Sequence, residues 1–426
     1  MLLSVEIILL AIALGLLIPC AFLGLECLAA LLSERAQRST LKTDLADLGN
    51  SAAPDVKTAV LVPAHNEAAS IEKTLETLLP QVAAPESIVV IADNCTDDTA
   101  AIARQYGVTV IERQDSQRWG KGYALDYGLQ HLEANPPEVV ILVDADCSVA
   151  QGTIDRIARL AKFSDRPIQA TYLMEQPANP GSKEIISTLA VTVKNLVRPY
   201  GLLKLGFPCL LTGSGMAFPW QVIRLVSLAN SKATDDIQLG IDLALAGHPP
   251  LYCPQGQVMG RLMGQASAKR QRSRWEHVHL ETLLTQTPRL IRAAIAQRRY
   301  ELLALTLELC IPPLSLLVVL WLAATGSALL TTFLGASWLP LLILGAAGLI
   351  IAASILGAWA KFSRAEIPAT ALLAMPFYLL WKIPLYFAFL IRPQTMWRKT
   401  ERDPEPDKAQ TDERAIVDTG SHYSKS

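Results

Sequence analysis

The sequence predicts an α/β domain around a mainly parallel sheet, set between membrane-crossing helices. Three observations carry this expectation. Between residues 57 and 260, short runs of β-branched and aliphatic residues alternate with longer helical stretches, the pattern of doubly buried strands joined by crossover helices. Long apolar stretches without charge lie on both sides of that region. Hydrophobic residues make up 51% of the 426, and the mean hydropathy is positive, both pointing to a bilayer. A formal net charge of -1 argues against a general nucleic-acid binder, which needs a basic surplus to meet phosphates. Seven scattered cysteines, odd in number and without a Cys-x-x-Cys pair, favour reduced thiols over a disulfide or zinc framework.

The first element, residues 1–32, is an N-terminal transmembrane helix. Nineteen uncharged residues, IILLAIALGLLIPCAFLGL, separate Glu6 from Glu26, enough at about 1.5 Å per residue to cross a bilayer core. No Lys or Arg precedes them, which argues against a cleaved signal peptide. Arg35, Arg38 and Lys42 follow, so the positive-inside rule puts the amino terminus outside and the linker 33–56 in the cytoplasm, with the next domain. Within that domain, 57–260, TAVLV (58–62), SIVVIAD (87–93), VTVIE (108–112) and EVVILVD (138–144) are expected strands; residues 68–80, 98–106 and 121–133 are expected helices.

Residues 261–300 are expected as interfacial helices and 301–392 as a second membrane region. Residues 309–360 carry no charge at all, which suits two crossings with a turn near 325–338. Lys382 and three prolines, Pro368, Pro376 and Pro384, make residues 367–391 a broken, re-entrant or interfacial segment rather than a span. The tail, 393–426, is expected to be cytoplasmic and disordered. The whole chain is thus expected to be integral to the cytoplasmic membrane, with its α/β domain facing the cytoplasm.

Parallel sheets bind ligands at the carboxyl ends of their strands, and three expected strands finish in acids or amides. PAHNE carries Asn66 and Glu67, ADNCTDD carries Asp93 and Asn94, and VDADC carries Asp144 and Asp146. In extended chain, positions i and i+2 project to one side, so Asp144 and Asp146 can address one ligand. Such hard oxygen donors suit Mg²⁺ or Mn²⁺. Each cluster alone also fits an ordinary turn or helix cap; three at the ends of one sheet are harder to dismiss. Lys121 lies between two glycines in RWGKGYAL at a helix opening, where backbone N–H groups favour a phosphate. TGSGMAF (212–218) permits close approach to a ligand at Gly213, or a tight turn, and is not a nucleophile elbow. Asp235 and Asp236 follow Thr234 at a helix start: they are dipole-complementing acids, or one is a general base. HVH (277–279) is expected to be surface histidines without a metal role, because i and i+2 diverge on a helix.

In this order VPAHNE, ADNCTDDTA, GKGYAL, VDADC, TGSGMAF, TDD and QRSRW resemble the family 2 glycosyltransferases (hexosyltransferases) with a GT-A fold. The resemblance is to the membrane-embedded processive branch that includes cellulose, hyaluronan and poly-N-acetylglucosamine synthases, and it covers roughly residues 57–280. It implies that Glu67 and Asp93 help hold the nucleotide, with Lys121 near its uracil or phosphates. Asp144 and Asp146 would form the D-x-D motif that contacts nucleotide sugar and divalent cation. Asp236 would be the catalytic base, with Gly213 near the acceptor. Gln271, Arg274 and Trp275 match Q-x-x-R-W: the indole would stack on the acceptor and the guanidinium would hold the donor diphosphate. One departure is Asp235, where the family usually has Glu.

The activity so implied is inverting transfer from a nucleotide sugar, UDP-linked by this resemblance, to a growing β-linked cell-surface polysaccharide. The alternative is single addition to a polyprenyl-phosphate or lipid-linked acceptor; a non-catalytic scaffold or transporter is a remote third. The chain has fewer spans than the larger cellulose synthases, so a complete polymer channel requires a further export or polymerisation subunit, or the enzyme adds one or a few sugars.

Overall fold

The computed structural model describes residues 2–32, 56–176, 180–229, 235–261 and 265–375, with Tyr378 and Lys382; of Asp235 and residues 265–277 it describes the backbone alone. Residues 33–55 of the expected linker 33–56 and the tail lie outside the described residues, as does most of the Pro-broken segment.

The strands are β1 (Thr58–Ala64), β2 (Ile88–Asp93), β3 (Thr109–Arg113), β4 (Val139–Leu142), β5 (Cys147–Val149), β6 (Ile168–Met174), β7 (Met216–Pro219) and β8 (Leu251–Gly260). They form one sheet in the order β3-β2-β1-β4-β7-β6-β8-β5. β1 pairs in parallel with β2 and β4, and β2 with β3. β7 runs antiparallel to both β4 and β6, β8 runs parallel to β6, and β5 antiparallel to β8. Six strands therefore share one direction, and β5 and β7 are reversed. This is the mainly parallel α/β sheet expected of a GT-A domain. The first four strands fall where the sequence puts them; the β5–β8 half was not anticipated, because β5 and β7 are short and β6 and β8 mix polar with apolar residues.

β1 and β2 are apolar at nearly every position because both faces of the sheet are covered. Period-two alternation sorts their side chains. Val60, Val62, Ile88 and Val90 face one core with α2 (Ile71–Leu78) and α5 (Thr153–Ser164). Leu61, Val89 and Ile91 face the other, with α4 (Lys121–Leu132) and α8 (Asp235–Leu245). The short α3 (Thr99–Gln105) returns the chain from β2 to β3.

Among the described residues, three helices are long and apolar enough to cross a membrane: Leu3–Leu32 within α1 (Leu2–Leu32), α11 (Leu314–Phe333), and Leu339–Ser363, which begins with α12 (Leu339–Ala358). α11 runs through most of the expected turn region, and the chain reverses only at residues 334–338. Its polar residues do not end it: Ser327, Thr331 and Thr332 return their hydroxyls to the carbonyls of Ala323, Ser327 and Ala328 four residues earlier, which satisfies them inside an apolar helix.

Two further helices, α6 (Ser182–Thr192) and α7 (Arg198–Leu205), join the sheet to these apolar helices and share one apolar core with α1, α10 (Tyr300–Leu309), α11 and α12. α7 crosses α1 closely at Gly201, where a Cβ would lie 2.0 Å from the Glu26 carbonyl oxygen, so that only glycine fits. Beside this crossing Arg198 of α7 pairs with Glu26 of α1 at 3.0 Å and with Glu308 of α10 at 2.8 Å, all three buried. Where the sequence suggests several interfacial helices, one helix, α9 (Gln265–Gln297), continues through Pro288.

Candidate active site

The carboxyl ends of the parallel strands carry the polar cluster. β1 leads into a turn where Asn66 adopts φ +54°, and Asn94, directly after β2, has φ +52°; asparagine tolerates this left-handed backbone better than most residues. The Glu67 side chain is buried in the first turn and accepts the Ser70 hydroxyl at 2.7 Å, while its N–H donates to the Thr99 hydroxyl at 2.8 Å. Asp93 sits opposite Arg113 in the β2–β3 register, and Arg113 Nη1 reaches its carboxylate at 2.6 Å. Burial raises the Asp93 carboxyl above its ordinary range, and the Arg113 guanidinium works against that. His65 Nδ1 lies 2.7 Å from the Asp93 carbonyl oxygen, and its ring meets Trp119 edge-on.

β4 stops at Leu142, and Asp144-Ala145-Asp146 forms a turn, closed by Cys147 N–H to Asp144 O at 3.2 Å, rather than the extended chain the spacing suggests. The turn still gathers the two carboxylates. Oxygen atoms of Asp144 and Asp146 and the Cys147 sulfur lie within 4.8 Å of one another. The Asp144 N–H donates to Ser214 Oγ at 3.0 Å, and the Ala145 carbonyl accepts from Thr74 at 2.8 Å, so helix and loop both fix the turn.

Lys121 is the hub. Its ammonium lies 2.6 Å from Asp144 Oδ1 and 3.7 Å from Asp236 Oδ1, and donates to the Gly213 carbonyl at 2.6 Å. Gly213 has φ +111°, and a Cβ there would approach Asp236 Oδ2 to 3.1 Å, so glycine both permits the backbone and leaves room for the carboxylate. The fold thus brings Lys121, Asp144, Asp146, Asp236 and Gly213 together, although they come from four separate stretches. Instead of waiting alone for a phosphate at a helix end, Lys121 bridges the D-x-D turn and the first turn of α8.

Burial works against the Lys121 charge, yet Asp144 and then Asp236 hold its pKa above the ordinary lysine value. Burial raises the Asp144 carboxyl, while Lys121 lowers it. Burial, and then the Asp144 charge, push Asp146 up to about 6. Three carboxylates thus share one ammonium, leaving a local excess of negative charge in a partly buried recess. A divalent cation at Asp144 and Asp146 fits that deficit and the hard oxygen donors. Cys147 is a poor third ligand: burial and then Asp146 push its thiol well up, so it stays protonated and donates to Asp146 Oδ1 at 3.6 Å.

Gln271, Arg274 and Trp275 lie on α9, and their side chains fall outside the described residues, as does that of Asp235. His279, one helical turn further on, is not a surface residue. It is buried, and its Nε2 sits 3.1 Å from the Ile311 carbonyl oxygen. The helix face it occupies is covered by the residues that follow α10, which sequence spacing alone does not reveal. Arg113, Ser214 and Cys147 were also missed; each contacts its partner through sheet register or a turn rather than a motif.

A family model described as "glycosyltransferase like family 2" matches residues 54–278, more than half of the chain. The chain belongs to this family. Glycosyltransferase-like family 2 membership accounts for the region that holds every described member of the cluster. Among curated proteins, a 4,4'-diaponeurosporenoate glycosyltransferase of Staphylococcus aureus strain N315 is 31% identical over 127 residues, 29% of this chain and 31% of that protein. The matching stretch thus spans about a third of the length of the relative. Among solved structures, the mannosyltransferase PcManGT from Pyrobaculum calidifontis in complex with GDP-Man and Mn²⁺ is similar at 18% identity and TM-score 0.46, covering 90% of this chain and 99% of that one. The S. aureus TarS 1–349 complex with UDP-GlcNAc is similar at 16% identity and TM-score 0.36, covering 53% and 66%.

Proposed function

We propose that this protein is a membrane-bound, metal-dependent glycosyltransferase that moves one sugar from a nucleotide sugar to a membrane-resident acceptor, with inversion at the anomeric carbon. The observation that carries this reading is Lys121 holding both the D-x-D turn and Asp236, in a family 2 domain packed directly on membrane-crossing helices. Glu67 and Asp93 border the nucleotide side, where the Trp119 ring meets His65 edge-on. Asp144 and Asp146 would hold Mg²⁺ or Mn²⁺, which when bound neutralises negative charge on the departing diphosphate.

The remaining chemistry belongs to the chain's own groups. Asp236 accepts the proton of the attacking acceptor hydroxyl as its oxygen bonds to the anomeric carbon. The bond from that carbon to the diphosphate oxygen breaks in the same displacement, and the electron pair leaves with the nucleoside diphosphate. Lys121 keeps the base and the D-x-D turn in register and places positive charge next to both. Gly213 leaves the acceptor side of Asp236 open.

Single addition is favoured by the 4,4'-diaponeurosporenoate glycosyltransferases among the relatives and by only three candidate spans among the described residues. A second reading, extension of a β-linked polysaccharide with a partner subunit, is favoured by the Q-x-x-R-W sequence at Gln271, Arg274 and Trp275. In either case the α/β domain faces the cytoplasm, where nucleotide sugars are made. Product length separates the readings. Membranes containing the protein are incubated with Mn²⁺ and a panel of radiolabelled UDP- and GDP-sugars, and lipid extracts are resolved by chromatography. One added sugar supports the first reading, an insoluble, hydrolase-sensitive polymer supports the second, and no label transfer from any donor refutes both.

A further inference from the structure

Between β3 and α4 the chain makes a loop, residues 114–120, that leads straight into Lys121. Arg113, the last residue of β3, is the side chain on which this loop is built, and its guanidinium is engaged on every side. Nη1 donates to Asp93 Oδ1 at 2.6 Å, while Nη2 donates to Asp115 Oδ2 at 3.1 Å and to the Arg118 carbonyl at 2.8 Å. The guanidinium carbon lies over the Tyr123 ring, 5.6 Å from its centroid, and Tyr123 belongs to the first turn of α4. One cation thus meets the end of β2, the loop, and the helix that begins at Lys121.

Three observations separate this arrangement from an ordinary surface ion pair. The first is burial. Exposed pairs contribute little, whereas here the Arg113, Asp93 and Asp115 side chains are 10%, 8% and 21% exposed. The second is closure. Asn94 accepts the Asp115 N–H at 2.8 Å, donates its own N–H to the Arg113 carbonyl at 2.8 Å, and donates its side-chain amide to Asp93 Oδ1 at 3.0 Å. Asp115 Oδ1 in turn accepts the N–H groups of Gln117 and Arg118. The Trp119 ring then returns to His65, whose Nδ1 lies 2.7 Å from the Asp93 carbonyl oxygen. The third is what the bracket leaves open. Both bonds to the Asp93 carboxylate fall on Oδ1, and no donor among the described residues bonds Oδ2, so one oxygen stays available to a nucleotide. The fork matters as much as the charge. A lysine ammonium can stand beside Asp93, but it cannot also reach Asp115, the Arg118 carbonyl and the aromatic face.

We propose that Arg113 is a positioning residue of the donor site: it fixes the Asp93 carboxylate for the nucleotide and, through Asp115 and the Arg118 carbonyl, sets the loop that delivers Lys121 to the D-x-D turn. The inference rests on the nucleotide-sugar reading above and deepens it, because nucleotide binding and placement of the central ammonium then depend on one side chain outside the Lys121 cluster.

Asp93 supplies a readout that a merely structural ion pair would not move. Burial raises its carboxyl and Arg113 lowers it; the other charged groups facing it are His65, from the turn after β1, and Asp115, from the loop. Without Arg113 the carboxyl takes up a proton at higher pH, and a protonated carboxyl is a poorer acceptor for a base N–H. His65 is present in wild type and variants alike, so its own titration cancels in the comparison.

The test uses the full chain in lipid nanodiscs with Mn²⁺. Binding of UDP and of GDP is measured by calorimetry at about pH 6 and about pH 8, and hydrogen exchange of the 114–121 peptide is followed by mass spectrometry without nucleotide. Arg113→Met should weaken binding of whichever diphosphate the wild type prefers by about tenfold or more, with the larger loss at the lower pH. It should also speed exchange of the 114–121 peptide while the β1 and β4 peptides keep wild-type protection. Arg113→Lys should make the loss equal at the two pH values, because a positive charge stands beside Asp93 again, but should leave the loop exchanging fast. Wild-type affinity in Arg113→Met, a loss in it that is the same at both pH values, wild-type loop exchange in either variant, or faster exchange across the whole sheet overturns the proposal. A wild type that binds neither UDP nor GDP, with loop exchange responding as expected, would instead count against the nucleotide-sugar reading.

Discussion

At Lys121 a single side chain ties together the pieces on which the reading depends. A compact ammonium satisfies Asp144, Asp236 and the Gly213 carbonyl at once. Lys121→Met removes the cation and leaves the two partly buried carboxylates without their shared partner, so transfer should fall by about 10²-fold, measured as kcat/KM for the donor. Lys121→Arg should recover little, because a planar fork cannot centre itself among three acceptors arranged for a point charge. Full activity in the methionine variant would show that the bridge is incidental. Residues of this kind were partly legible beforehand. Asp144 and Asp146 announce themselves by spacing, as does Lys121 by its flanking glycines. That Lys121 meets Asp144 and Asp236 was not legible, because the contact joins residues 23 and 115 positions apart in sequence. Arg113 was invisible for the same reason, since its tie to Asp93 exists only in the β2–β3 register.

Among the elements, β1 to β4 could be placed from sequence because doubly buried parallel strands read as unbroken apolar runs. β5, β7 and the helices α6 and α7 could not, being short or mixed in polarity. Of these, α6 and α7 form the junction with the helices able to cross a bilayer. Arg198 on α7 is buried between Glu26 and Glu308, and Arg198→Met strands both carboxylates. The expected cost is about 3–5 kcal/mol of stability, seen as a lowered thermal midpoint in detergent. Adding Glu26→Met and Glu308→Leu should restore most of it, since an apolar trio of similar volume avoids the desolvation penalty. His279 on α9 provides a pH-dependent counterpart. Burial first, then the charges of Lys194 and Arg198, push its pKa down to about 3. The unfolded chain, with an ordinary imidazole near pKa 6.5, binds the proton more readily across the interval between these values. Stability contributed by neutral His279 is thus full above about pH 6.5 and is lost as pH falls towards 3, by about 2 kcal/mol between pH 7 and pH 5. His279→Gln, which can still donate to the Ile311 carbonyl, should flatten this slope in thermal melts at the two pH values. An identical slope in wild type and variant would assign the pH dependence elsewhere.

For the whole molecule, a family 2 domain is fused through one shared apolar core to helices able to cross a bilayer. The helices able to cross a bilayer meet the sheet through α6 against β6 and α7 against β8, and the membrane-resident acceptor proposed above is the reading that uses this fusion. The central claim is that the Lys121-centred cluster performs sugar transfer with Asp236 as its base, and one comparison tests it most directly. Wild type and Asp236→Asn, purified into nanodiscs with native lipid extract and Mn²⁺, are assayed in parallel for nucleoside-diphosphate binding by calorimetry and for label transfer from the preferred donor. The account predicts that the Asn variant binds the nucleotide as the wild type does while transfer drops by about 10²–10⁴-fold, the range for loss of a general base. Transfer by Asp236→Asn at the wild-type rate would contradict it.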